Sequence, residues 1–191
     1  MNYPYGIIKG KNNVSYSNRG MTLEYFINCS NDYYRTVDKA IIYKKPTPIS
    51  VVKVDYPSRY EAKIKEAYFK TPSTTDYNGI YKGKYIDFEA KETINKTSFP
   101  LNNIHKHQIE HLKKIIKHGG IGFLIVYFST LNKIYYLDGK DLLFFLDNNT
   151  KKSIPLSYFE ENGFLLKNSV NPYIDYLKII DKLYFMEENY E

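Results

Sequence analysis

The sequence contains a single cysteine, no apolar run longer than eight residues and no glycine-rich phosphate-binding loop. Cys29 therefore has no partner for an internal disulfide, and its position in a predicted helix favours a small buried side chain over a nucleophile. The longest apolar run, Ile121–Phe128, is too short to span a bilayer. Residues 1–13 also lack the apolar stretch of a secretory signal. We therefore expect a soluble cytoplasmic protein with no membrane partner.

The 191 residues carry a formal net charge of +6, and this charge is unevenly distributed. Residues 1–118 contain 20 Lys and Arg against 11 acids, whereas residues 119–191 contain 7 against 10. A basic half of this kind indicates an anionic partner, most commonly nucleic acid. The alternative is that the lysine content reflects biased codon usage, because the chain is also rich in Asn, Ile and Tyr.

Residues 74–91, TTDYNGIYKGKYIDFEAK, concentrate the side chains that can carry chemistry. In an extended strand, successive side chains point to opposite faces. One face of this predicted strand would carry Tyr85, Asp87, Glu89 and Lys91, and the other Ile86, Phe88 and Ala90. The dipeptides Asn78-Gly79 and Lys82-Gly83 are turn formers, so we expect the chain to double back and to bring Asp76 beside Glu89.

Two carboxylates and a lysine at one point suit phosphodiester hydrolysis. Asp76 and Glu89 would hold a hard divalent cation, Mg²⁺ or Mn²⁺ in its place, and the amine of Lys91 would orient water or stabilise the charge on the phosphate. The spacing D-x12-E-x-K is that of the PD-(D/E)xK nuclease core. A [DE]-x-K pattern also occurs at residues 61–63 and 138–140, but without an upstream acid across a turn.

Residues 44–70 combine basic and aromatic side chains in a way that is typical of DNA-binding segments. Alternation at residues 51–54 and 63–70 predicts two strands, which would form a projecting hairpin. Basic side chains can contact phosphates while aromatic rings stack on splayed bases. The predicted DNA-binding residues are Lys44, Lys45, Lys53, Arg59, Lys63, Lys65, Tyr68, Phe69 and Lys70. The alternative is an ordinary pair of edge strands protected by lysine.

The flanking segments predict helices and further strands around this stretch. A first helix should begin at Thr22 as its cap, which would place Glu24 in the first turn. Residues 97–103 should be a loop, and residues 104–118 a helix that ends at a glycine pair. Gln108 lies beside its apolar stripe, where the amide oxygen would reach a metal held by the strand. Ile121–Phe128 should be a central strand, and residues 153–161 a helical turn.

The predicted helix over residues 104–118 also contains the pattern H-x-x-E-H at His107, Glu110 and His111. Two histidines four residues apart on a helix can bind zinc, so an inverted zinc-peptidase motif is an alternative hypothesis. That chemistry needs a further distant ligand, and the candidates downstream are Glu160 and Glu161.

Several longer segments resemble the RecU Holliday junction resolvases. They are SNRGMTLE at 17–24, KKPTPI at 44–49, VKVDYP at 52–57, IKEAYFK at 64–70, STTDYNGIYKGKYIDFEAKET at 73–93, KTSFPL at 96–101 and IDYLKIID at 174–181. The resemblance implies an α/β fold, with a mixed central sheet flanked by helices, a PD-(D/E)xK nuclease-like core and a projecting basic stalk. It covers the chain except for the extreme N-terminus.

The resemblance also implies roles for individual residues. The metal ligands would be Thr74, Asp76, Glu89 and Gln108, and the lysine that acts in the transition state would be Lys91. Glu24 would be an additional acid near the site. We expect one nuclease domain over residues 1–191, with residues 1–20 as a flexible basic arm and about 45–72 as the stalk. The N-terminal arm is shorter than in many members, and YFIN after Glu24 stands where more acidic residues are expected.

The function that follows from the resemblance is a Mg²⁺-dependent endonuclease that cuts two opposed strands of a four-way DNA junction. A homodimer would supply two sites for a two-fold substrate, and the RecA recombinase is an implied partner. The alternative is a non-catalytic junction-binding protein that remodels DNA or modulates a recombinase.

Overall fold

The computed structural model describes residues 19–58, 60–70 and 74–185, with the side chains of residues 19–21 left aside. The predicted basic arm at residues 1–20 lies almost wholly outside these ranges. Arg59 and the end of the predicted stalk, residues 71–72, also lie outside the described residues.

A six-stranded mixed sheet forms the centre of the fold. Its strands, in spatial order, are β1 (Ile41–Lys44), β4 (Tyr77–Tyr81), β5 (Lys84–Thr93), β7 (Ile121–Phe128), β8 (Lys133–Asp138) and β10 (Phe164–Leu166). β5 and β7 run parallel, and the other neighbours run antiparallel. Every residue of β7 is buried, as a strand covered on both faces requires.

Two smaller sheets and a set of helices complete the described part of the chain. The small sheets pair β2 (Ile49–Asp55) with β3 (Lys63–Phe69), and β6 (Ser98–Pro100) with β9 (Ser153–Pro155). The helices are α1 (Arg19–Thr36), α2 (Lys106–Lys117), α3 (Gly139–Asn148), α4 (Leu156–Asn162) and α5 (Tyr176–Ile180), the last continued by a π-helical turn at Asp181–Phe185. Short 3₁₀ turns occur at Leu101–Asn103 and Ser129–Leu131.

Helices cover both faces of the central sheet. On one face, α1 and α5 pack on an aromatic-rich cluster that includes Phe88, which stacks between Tyr77 and Phe123. On the other face, α2, α3 and α4 pack over Leu124 and Val126. The predicted fold class, a mixed sheet flanked by helices, is therefore confirmed. No helix in the described ranges is long and apolar enough to cross a membrane.

The turn between β4 and β5 lies at Lys82-Gly83, where both residues have positive φ angles, 47° and 75°. Such a two-residue turn matches the twist of an antiparallel hairpin. The second predicted turn, at Asn78-Gly79, is wrong, because both residues lie inside β4. A Cβ on Gly79 would lie 2.1 Å from the carbonyl oxygen of Ile41. The glycine therefore serves the close approach of β1 and not a reversal of the chain.

Three other boundaries differ from the sequence-based prediction. α1 begins at Arg19, so Thr22 lies inside the helix as an exposed residue and Glu24 lies beyond the first turn. The predicted loop at residues 97–103 contains β6, and the start of the predicted helical turn at 153 is β9. These two short strands pair with each other across more than 50 residues, a contact that local patterns do not encode.

The role of Gly79 predicts a stability difference between two glycine substitutions. Gly79→Ala should lower the free energy of unfolding by more than about 3 kcal/mol, because the new methyl group would collide with backbone. Gly83→Ala is the control. Its Cβ meets open space, so the cost is only the positive φ, about 1 kcal/mol. Urea unfolding followed by circular dichroism measures both, and equal losses would contradict this account of Gly79.

Candidate active site

Strand β5 presents acidic side chains on one face and apolar side chains on the other. Ile86 and Phe88 are fully buried in the cluster beneath α1. Asp87 and Glu89 point to the opposite face, towards α2, and are also fully buried. Buried carboxylates are costly unless hydrogen bonds or opposite charges compensate them. The partners of these two acids therefore define what this face of the strand can do.

The structure brings Asp76 and Glu89 together, as the strand pairing predicts. Tyr77 pairs with Phe88 in the β4–β5 register, so the preceding residue, Asp76, lies opposite Glu89. The backbone N–H of Asp76 donates to Glu89 Oε2 at 3.1 Å. The backbone N–H of Ala90 donates to Asp76 Oδ2 at 3.4 Å. Each carboxylate is thus held by the backbone of the other strand.

Lys91 supplies the positive charge that faces Glu89. Its Nζ lies 2.6 Å from Glu89 Oε1 as an ion pair, although Oε1 accepts no hydrogen bond of good geometry from the described residues. Burial and the negative charge of Asp76 raise the pKa of Glu89 to about 7, and the opposing effect of Lys91 is too small to cancel them. Lys91 therefore compensates the negative charge of the two acids only in part.

The chemistry of this pair fits a hard divalent cation. Carboxylate oxygens are the ligands that such an ion prefers, and the negative charge of Asp76 and Glu89 is only partly compensated by Lys91. Across the described ranges, no group of three or more His, Cys, Asp or Glu side chains is arranged to hold a metal. A metal at this point would therefore depend on two carboxylates and on neutral oxygens.

The two neutral oxygens predicted as ligands are placed differently. Thr74 is half-buried and lies two residues before Asp76 in the chain. Gln108 is buried near the start of α2, but its Oε1 accepts the backbone N–H of His105 at 3.0 Å as part of a capping box. In this arrangement the amide oxygen of Gln108 is engaged as a cap at the start of α2.

Glu24 approaches the site through Tyr77. Its Oε2 forms an ion pair with Lys44 Nζ at 2.6 Å, at the end of β1. Burial raises the pKa of the Tyr77 hydroxyl, and the charges of Glu24, Asp76 and Glu89 raise it further. All three acids therefore act electrostatically on one hydroxyl. Lys44, predicted to bind DNA, is engaged with Glu24 in this arrangement.

A second buried carboxylate, Asp87, was not predicted as a site residue. It accepts hydrogen bonds from Lys45 Nζ at 2.7 Å, from the Tyr85 hydroxyl at 3.0 Å and from the Thr75 hydroxyl, and it lies 3.2 Å from His111 Nε2. The signal in the sequence was only its position on the same strand face as Glu89. Lys45, Thr75 and His111 come from three other segments, which no local pattern connects to Asp87.

Lys45 needs a correction. It was predicted to bind DNA, but its side chain is only 17% exposed, and its ammonium group points inward to Asp87 and Thr75. The reason is that the buried carboxylate of Asp87, on β5, needs a compensating charge. Lys45 is thus part of the protein interior beside the site.

The remaining predicted DNA-binding residues lie on the β2–β3 pair, residues 49–69, here called the basic hairpin. All seven residues of β3 are exposed, including Phe69 at 83%. Lys65 pairs with Asp55, and the Tyr68 hydroxyl donates to Glu66. Lys53 and Lys63 are exposed on the two strands, and Lys70 follows directly. Arg59 lies outside the described residues.

The zinc-peptidase hypothesis is not supported by the structure. His111 contacts Asp87, and no third ligand joins His107 and His111 within the described part of the chain. Glu160, proposed as a distant ligand, instead accepts hydrogen bonds from Lys133 and Tyr135.

Cys29, expected to be buried, is half-buried in α1.

The family model and the curated relatives that match this chain carry the same family name. A family model described as "RecU: Recombination protein U" matches residues 18–182. A protein of Geobacillus sp. (strain WCH70) named "Holliday junction resolvase RecU" is 54% identical over 174 residues, which cover 90% of this chain and 87% of that protein. Proteins of the same name from Bacillus mycoides (strain KBAB4) and Bacillus cereus (strain B4264) are each 56% identical over the same shares.

Among solved structures, a 1.6 Å structure of Archaeoglobus fulgidus Hjc, titled as a Holliday junction resolvase from an archaeal hyperthermophile, covers 76% of this chain and 95% of its own. It is 10% identical and aligns with a TM-score of 0.43. This similarity is too low to support an argument about the present chain.

The raised pKa of Glu89 predicts a pH-dependent effect of Glu89→Gln on stability. When folding raises the pKa of an acid, the acid costs no stability at a pH below its pKa in the unfolded state. The cost then grows as the pH rises to the pKa in the folded state, and above that pKa it stays constant. Without added metal, the variant should therefore gain on the wild type between about pH 4.5 and pH 7, by roughly 3 kcal/mol in total. Urea unfolding at a series of pH values measures this difference.

Glu160→Gln is the control for that series, because Glu160 forms an exposed pair with Lys133. Its stability difference from the wild type should stay flat from pH 5 to pH 8. If the stability difference between Glu89→Gln and the wild type also stayed constant across this pH range, folding would not raise the pKa of Glu89, and this account of the site would be wrong.

Proposed function

The chain belongs to the RecU family, and from this premise we propose that it is a metal-dependent endonuclease that resolves four-way Holliday junctions during recombination and repair. The observation that supports the proposal is the meeting of Asp76, Glu89 and Lys91 on two neighbouring strands. The curated relatives are named Holliday junction resolvases, and at 54–56% identity the chain matches them over 90% of its length. The acid pair and the lysine are the groups that such a hydrolysis needs.

Mg²⁺, or Mn²⁺ in its place, is the proposed cofactor. Asp76 and Glu89 would hold it, with the oxygens of Thr74 and Gln108 as further ligands. When bound, such an ion supplies positive charge for the phosphoryl oxygens and an activated water. For Gln108 to take part, its amide oxygen would have to exchange or share the hydrogen bond that it accepts from His105.

The protein's own groups are positioned for the remaining tasks. The backbone N–H of Asp76 fixes one oxygen of Glu89, and the ion pair with Lys91 fixes the other side of that carboxylate. The Lys91 side chain is 22% exposed, so its ammonium group can also reach a phosphate oxygen of a bound strand. Positioned charges of this kind stabilise the transition state of phosphoryl transfer.

The basic hairpin is the proposed junction-recognition element. Its lysines would contact phosphates, and the exposed rings of Tyr68 and Phe69 would stack on bases that are unpaired at the junction centre. Among the described residues, its two strands form a sheet separate from the central one. Such a segment can enter a junction without disturbing the packed part of the protein.

The proposal also includes an assembly, a partner and a location. A homodimer would place two identical sites about a two-fold axis, so that paired symmetric incisions follow from the symmetry of the junction. Sedimentation equilibrium would detect it. The RecA recombinase is the proposed protein partner, and the cytoplasm, where bacterial chromosomal DNA lies, is the proposed location.

Cleavage by Asp76→Asn tests the catalytic proposal. With Mg²⁺, the wild type should nick a labelled four-way junction symmetrically and leave a linear duplex of the same sequence intact. The variant should cut at least about 100-fold more slowly, because it loses one of the two carboxylates that would hold the metal ion. Junction binding in EDTA, measured by gel shift, should be retained.

The matched control is Asp147→Asn, at an exposed position of α3, which should cut like the wild type. Tight junction binding without cutting by the wild type would favour the non-catalytic architectural role. Unchanged cutting by Asp76→Asn would remove Asp76 from the mechanism.

Removal of the basic hairpin tests junction recognition. The N–H of Lys70 donates to the carbonyl oxygen of Pro48 at 2.9 Å, so two glycines can replace residues 49–69 without moving the ends. The variant should lose more affinity for the junction than for the duplex. Tyr68→Ala with Phe69→Ala keeps every basic residue and separates stacking, about 1–3 kcal/mol per base, from charge. Equal losses on both substrates would argue against a role in selectivity.

A further inference from the structure

The buried carboxylate of Asp87 has no task in the proposed mechanism, yet it is the most densely bonded acid in the described structure. Four side chains reach it, from Lys45, Thr75, Tyr85 and His111. Its side chain is fully buried, and the lysine beside it is 17% exposed. A buried ion pair of this kind contributes little stability compared with apolar packing, but it does fix the positions of the groups that it joins.

Two of these partners lie on the segments that flank the basic hairpin, one before residue 49 and one after residue 69. Lys45 follows β1 directly and leads into the hairpin. Thr75 lies on the return side, one residue before Asp76. Lys45 Nζ also donates to the Thr75 hydroxyl at 2.9 Å, and the Lys45 backbone N–H donates to the Asp76 carbonyl oxygen at 2.8 Å. The segments before and after the hairpin are thus joined to each other and to one carboxylate.

The carboxylate itself belongs to the catalytic strand. Asp87 lies two residues before Glu89 on the same face of β5, and β5 is paired on both sides within the central sheet. A displacement of the hairpin ends would therefore be transmitted to Thr75 and Asp76, while Glu89 is held by the sheet. The separation of the two candidate metal ligands would change with it.

We propose that Asp87 is a positioning residue that clamps the two segments flanking the basic hairpin to strand β5, so that the orientation of the hairpin on DNA sets the alignment of Asp76 with Glu89. The inference rests on the proposed function for its catalytic consequence. The clamp itself is a property of the protein without DNA. Asp87 acts through Lys45 and Thr75 and does not touch the phosphate.

A fluorescent label on the hairpin tests the clamp directly. The single cysteine permits it, because Cys29→Ser leaves Ala67→Cys as the only thiol, at an exposed position of β3. Time-resolved anisotropy of the label then reports the motion of the strand relative to the whole protein. The clamp variants are Asp87→Asn and the neutral pair Lys45→Met with Asp87→Asn, which leaves no lone buried charge and so folds even if the single variant does not.

Tyr85→Phe is the matched control. It removes one hydrogen bond to the same carboxylate, but from β5 itself, so the ends of the hairpin stay attached. The clamp variants should show a larger amplitude of hairpin motion than the wild type, and Tyr85→Phe should not. Single-turnover junction cleavage by the clamp variants should fall roughly 10- to 100-fold, because misplacement by about 1 Å at a reacting centre has that effect. Their junction affinity in EDTA should be unchanged.

The two measurements separate the clamp from the proposed function. If the wild type cuts no junction, the proposed function fails, and the anisotropy still decides whether Asp87 restrains the hairpin. Hairpin motion equal to that of the wild type in both clamp variants would overturn the proposal, whatever the cleavage rates. Looser hairpins with wild-type cleavage would overturn the coupling to the site.

Discussion

The antiparallel pairing of β4 with β5 is the constraint on which the site depends. Its register places Tyr77 opposite Phe88. The next pair along the two chain segments is therefore Asp76 opposite Glu89. If the register shifted by one residue, the acids of β5 would point towards the aromatic cluster, and Phe88 would move to the opposite face of the sheet. The tight turn at Lys82-Gly83 and the stacked rings of Tyr77 and Phe88 both hold this register.

The pairing creates an electrostatic problem that gives the site its character. Two carboxylates approach each other in a buried position, and Lys91 only partly compensates them. Structural acids of this kind are normally neutralised by neighbours, as Asp87 is by Lys45 and three further contacts. The contrast within one strand face is informative. Asp87 has a full set of partners and suits a structural role. The negative charge of Glu89 is only partly compensated, which suits the binding of a cation.

The sequence allowed much of the site to be predicted because strand alternation is a local property. Asp76, Glu89 and Lys91 lie where the alternation and the turn place them. Predictions that depended on distant contacts were less accurate. Asn78-Gly79 resembles a turn, but the approach of β1 decides the need for glycine at Gly79. Lys45 has the same chemistry as the exposed lysines of the hairpin, and only its position beside Asp87 distinguishes it.

By itself, the sequence determined the alternation along β5, the helix that covers it and the basic character of the hairpin, because each follows from spacing within about 20 residues. The tertiary structure decided which charges are buried and which partners they have. Gln108 caps its helix, Glu24 pairs with Lys44, and the segments that flank the hairpin meet at Asp87. These contacts join segments that are far apart in the chain, and the cost of burying a charge is set by such neighbours and not by the residue itself.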